Sequence, residues 1–153
     1  MKMSRNIITM HILLAFMLAT AIVYFLVASQ EYSDLLEFQQ VGIQGETQEK
    51  QIEMTLFIGS GITYIGLFAW ILGIKLRSRI PYVVVGGVSV ILIATYIASR
   101  TVGVPIVGVE YYVGKLDMVS KALQVIIIGL SLYLASSIRK IKVEESIHKK
   151  NMG

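Results

Sequence analysis

The chain has 153 residues, 55% of them hydrophobic and only 16% charged, with a net charge of +4, no cysteine and a mean hydropathy of +0.69. Soluble domains carry about 25% charged residues, so this balance argues for a membrane protein of one domain. The lack of cysteine excludes disulfides, thiolate metal sites, iron–sulfur clusters and quinone-linked thiol oxidation, all of which need sulfur.

Four apolar runs follow in chain order. Residues 7–28 hold no acid or base except His11 and are long enough to cross a hydrocarbon core of ~30 Å at ~1.5 Å per residue. Lys2 and Arg5 precede the run as the basic region of a signal peptide would, but such peptides have apolar cores of about 7 to 15 residues, so a retained transmembrane helix is expected. The second, third and fourth runs are 55–74, 82–99 and 118–138. The expected fold is therefore all-α: a transmembrane four-helix bundle formed by residues 1–153 as a single integral membrane domain.

An even number of spans puts both termini on one side. Ten of the fourteen Lys and Arg residues fall in the N-terminal tail, the 75–81 link and the tail after 138, whereas the other two links hold Lys50, Arg100 and Lys115. The positive-inside rule then predicts a multi-pass cell-membrane protein with both termini cytoplasmic. Between the first two spans lies an acidic external loop with Glu31, Asp34, Glu37, Glu46, Glu49 and Glu53 against Lys50. Its pattern suits helical extensions of both spans, hinged near Gly42 and Gly45. These acids lack the spacing of a calcium loop, and a solvated acidic face is the preferred reading.

Small residues mark faces where membrane helices approach closely. Gly59, Thr63, Gly66, Trp70 and Gly73 recur at alternating spacings of four and three on the second span; Gly86, Gly87 and Ser89 cluster on the third, and Ala15 and Ala19 stand four apart on the first. All are expected to be helix-packing positions. On the fourth span Asp117, Lys121, Gln124, Ile128, Ser131 and Ala135 share one stripe, which is expected to face inward. Asp117 and Glu110 are the expected partners of Lys121. Together Arg100, Glu110, Asp117, Lys121 and Gln124 form a candidate outer polar cluster, with ion pairing that ties the loop down as the preferred reading over a substrate site.

The stretch Ser99-Arg100-Thr101-Val102-Gly103-Val104-Pro105, followed by Glu110, resembles a Ser-Arg-Thr-Val-Gly-x-Pro turn in small prokaryotic multi-span membrane proteins of unknown function. The resemblance covers roughly a fifth of the chain and implies that the loop over 100–117 is its distinctive feature.

Several chemistries lack their residues. His11 and His148 lie in the first span and the C-terminal tail and cannot face each other as axial haem ligands; no acid lies within the first span to couple export to protons; and no nucleotide loop or His-Glu-x-x-His helix is present. No catalytic residue, metal site, cofactor beyond a bound lipid, or nucleic-acid partner is expected. The function that remains is a non-catalytic accessory subunit packed among other integral membrane subunits, with a respiratory or copper-dependent membrane oxidoreductase as the expected host. The alternative is a small homo-oligomeric transporter or channel whose outer entrance is lined by Lys121, Gln124, Arg100 and Glu110. A quinone or lipid site using Tyr24, Tyr64, Phe68, Trp70 and Tyr96 ranks third, because such aromatics commonly form interfacial belts.

Overall fold

The computed structural model describes residues 2–41, 44–103 and 114–151. Four helices occupy them: α1 (Lys2–Val41), α2 (Gln44–Ile74), α3 (Ile80–Thr101) and α4 (Lys115–Asn151), with one 3-10 turn at Lys75–Arg77 between α2 and α3. Each helix contains a stretch long and apolar enough to cross a membrane. The 22 residues of α3 extend about 33 Å, close to the thickness of a bilayer core, whereas the 40 residues of α1 extend about 60 Å. The expected extensions of the first two spans are thus continuous helix. Gly45 lies inside α2 and forms no hinge; Gly42 falls outside the described residues, as do residues 104–113 with Glu110.

Helix α1 packs against both α2 and α4, and α3 packs against α4, while α2 and α3 touch only lightly. On α1 the buried residues Met10, Leu13, Leu14, Met17, Ala21 and Tyr24 recur every three or four positions, so one stripe faces the bundle. Tyr64, Leu67 and Ile71 of α2, Tyr82 and Val85 of α3, and Ile127, Leu134, Ala135 and Ile138 of α4 complete the core. The end where α1 gives way to α2 is called distal below, and the end where Asn6 meets Ser137 proximal.

The proximal turn between α2 and α3 is held by its own hydrogen bonds. Lys75 adopts a left-handed backbone (φ 53°), a conformation costing roughly 1–2 kcal/mol for a side chain with a Cβ. Its carbonyl accepts a 2.8 Å hydrogen bond from the Tyr82 hydroxyl, which holds the turn against that cost. Pro81 stands at the start of α3, where a missing N–H is harmless, and Ser78 Oγ accepts the Ile80 N–H at 3.2 Å. At the other end of α3 Gly103 takes φ 83° and donates its N–H to the Ala98 carbonyl, the glycine-closed helix terminus.

The small-residue stripe of α2 lies off the chain's own bundle. Gly59, Thr63, Gly66 and Gly73 are exposed, and a Cβ built on any of the three glycines meets nothing within 4 Å. Among the described residues, none of them packs against another helix. The close approach lies instead at Gly61, where a Cβ would come within 2.9 Å of the Phe25 ring, and at Gly86, 3.6 Å from the Ser131 Cβ. Ser89 is buried as expected, whereas Gly87 and Ala15 face outward.

Candidate functional site

The inward stripe of α4 lies where its polarity requires. Gln124, Ser131 and Ala135 are buried, and Asp117, Lys121 and Ile128 half-buried. An amide in an apolar span needs partners, because an unpaired polar group there costs several kcal/mol. Gln124 is fully enclosed, and its Nε2 donates to the Tyr24 hydroxyl at 2.7 Å and, more weakly, towards Tyr64 at 3.3 Å. Ser89 Oγ donates its single proton to the Val85 carbonyl at 2.9 Å, so the 2.7 Å contact between Tyr64 and Ser89 has the tyrosine as donor.

The hydrogen bonds therefore branch from α4 to α1 and to α2, and the second branch continues to α3, bridging the two helices that otherwise barely touch. Tyr24 and Tyr64 stack with centroids 6.1 Å apart, and the Phe57 ring also lies 6.1 Å from Tyr24. Gln124 Oε1 and Ser131 Oγ are buried without a hydrogen-bond partner among the described residues. The sequence pattern points to Gln124, whereas Tyr24 and Tyr64 read there as members of an aromatic belt. Both belong to the interior.

One turn distal, the charges pair differently from expectation. Asp117 stands four residues before Lys121 but pairs with Arg100, Oδ2 to Nη2, at 3.4 Å. Lys121 instead directs Nζ to the Tyr24 hydroxyl at 3.3 Å and lies 5.5 Å and 4.8 Å from the ring centroids of Tyr24 and Tyr96. The Arg100 guanidinium also lies 5.0 Å from the Tyr96 centroid, so this one ring faces two cations. The structure thus brings together Arg100, Asp117, Lys121 and Gln124, adds Tyr24, Tyr64, Ser89 and Tyr96, and leaves Glu110 outside the described residues.

The acidic segment is not uniformly solvated either. Lys50 Nζ lies 2.8 Å from both Glu31 and Glu53, and Glu53 is only 7% exposed, so two of the acids expected on a wet face clamp α1 to α2. Lys50→Met leaves these two carboxylates converging with no cation between them. Because the groups retain some solvent contact, the expected loss is about 1–2 kcal/mol, below that of a fully buried pair. Unfolding of the detergent-solubilised chain measures it, and a change under about 0.5 kcal/mol, the size of an ordinary surface substitution, would show that the clamp is not stabilising.

At the proximal end Asn6 and Ser137 exchange hydrogen bonds at 2.8 Å and 3.1 Å, and Arg5 Nε donates to the Tyr133 hydroxyl at 2.9 Å. His11 is exposed, with Nδ1 2.7 Å from the Ile7 carbonyl oxygen of its own helix. Between the two polar layers the interior is closed by Leu13, Met17, Ile71, Ile127 and Leu134, none of which has exposed surface. Comparison with protein-family models, curated proteins and solved structures finds no match to this chain.

Proposed function

We propose that the chain is a non-catalytic subunit of a larger membrane complex, inserted with both termini cytoplasmic. The observation that carries this reading is the stripe Gly59, Thr63, Gly66 and Gly73, which faces away from the chain's own bundle and has open space above each glycine. Small residues let membrane helices approach until their backbones pack, and that gain requires a helix opposite them. Thr63 adds to the flatness of the face by folding its hydroxyl back to the Gly59 carbonyl at 2.8 Å. A partner helix from another subunit satisfies the stripe.

The concentration of Lys and Arg in the tails and the 75–81 link supports the orientation. The expected host remains a respiratory or copper-dependent membrane oxidoreductase. Transport through the bundle has less support, because the hydrogen-bond chain from Lys121 ends at the Val85 carbonyl and the core beyond it is mostly apolar, with Thr20 and Ser131 as isolated buried hydroxyls.

Mild-detergent extraction followed by native electrophoresis and mass spectrometry tests the reading. The chain is expected to migrate in fixed proportion with larger membrane subunits; migration only as a monomer, or with copies of itself, would overturn it.

A further inference from the structure

The distal cluster holds a cation that no carboxylate of the described residues pairs with. Asp117 has the helix spacing to pair with Lys121, yet its carboxylate is engaged by Arg100. The contacts of Lys121 Nζ are a phenol oxygen and two aromatic faces, which favour an ammonium without cancelling its charge, while Asp117 attracts it without forming an ion pair. An ammonium has three N–H donors, and Tyr24 accepts one. Lys121 is only half-buried.

Position and charge narrow the kind of group. Lys121 lies in the second turn of α4, which starts at Lys115. The residue stands about one turn inside the apolar run that begins at 118, the depth at which a lysine amine reaches the headgroup region. A neutral carbonyl would satisfy an N–H but leave the charge, and a cation would be repelled. An oxyanion satisfies both needs, and the acid that would oppose it, Asp117, is paired with Arg100.

We propose that Lys121, held between Tyr24 and Tyr96, is a binding site for a phosphate oxyanion at the distal membrane interface. A phospholipid headgroup and free phosphate present the same chemistry, and the test separates them. The full-length chain, purified and stripped of lipid in a nonionic detergent, is titrated in parallel with dihexanoyl phosphatidylglycerol and with inorganic phosphate, binding being followed by phosphorus NMR line broadening. Lys121→Met is expected to weaken binding about ten-fold, roughly the effect of 1.4 kcal/mol, while Lys121→Arg retains it.

Lys121→Gln removes the charge but can still donate to Tyr24, and serves should the methionine variant lose its helical circular dichroism. Charge-dependent binding of the lipid assigns the site to a headgroup; charge-dependent binding of inorganic phosphate alone assigns it to the free anion. Absence of binding by the wild-type chain, or equal binding by the uncharged variants, would overturn the proposal.

Discussion

Gln124→Ala is expected to lower the stability of the solubilised chain by about 2–4 kcal/mol, within the range for emptying a large buried position. Two effects combine. The amide Nε2 contacts the hydroxyls of both Tyr24 and Tyr64, and hydrogen bonds between membrane helices contribute about 0.6 kcal/mol on average and up to about 1.7. Removing the side chain also leaves a void at a residue with no exposed surface, between helices that cannot close it without moving the tyrosine pair.

Gln124→Leu separates the two effects. It keeps most of the volume and loses only the hydrogen bonds, so its expected cost is about 1–2 kcal/mol. Tyr64→Phe breaks the link to Ser89 and is expected to cost about 1 kcal/mol. Because Gln124 and Tyr64 share one network, the double variant should lose less than the two single losses added. Denaturant unfolding followed by helical circular dichroism reads all four proteins. A loss below 1 kcal/mol for Gln124→Ala would show that this network does not hold the four helices together.

How much of this arrangement is legible in the sequence depends on whether a residue's chemistry restricts its neighbours. The inward face of α4 is legible because Lys121, Gln124 and Ser131 share a stripe with small Ala135, and polar groups in a span turn from lipid. Tyr24 and Tyr64 are not recognised there, since a tyrosine suits an aromatic belt and a packed interior equally well. A signal did exist for Tyr64, which lies nine residues into the run starting at 55, away from either interface, so its hydroxyl needs an internal partner.

Charge pairing fails for a related reason. Helix spacing permits Asp117 to meet Lys121, but Arg100 offers a competing partner from α3, and only the packing of α3 on α4 decides between them. Likewise the Glu31–Lys50–Glu53 clamp needs α1 and α2 to continue well past their apolar runs, which composition alone does not require. Spacing of small residues identifies a close-packing face without naming the helix opposite it. Gly61, outside the regular stripe, is the α2 glycine pressed by Phe25.

That ambiguity yields the second large effect. Gly66→Leu is expected to leave the isolated chain as stable as before, or more stable by up to about 1 kcal/mol, because leucine favours helix and the space above Gly66 is open. Gly86→Leu presses against Ser131 in the interior and is expected to cost about 1–3 kcal/mol. Association should respond in the opposite sense. If the proposed subunit role holds, a leucine at Gly66 keeps the partner helix away from the α2 backbone, and co-migration with larger subunits should fall at least ten-fold, the equivalent of about 1.4 kcal/mol. The comparison needs only expression level, unfolding of the purified chain, and the fraction recovered in the complex. Full recovery of Gly66→Leu in the complex would show that the partner uses another face, whereas a well-folded variant that no longer assembles would identify the α2 stripe as the contact.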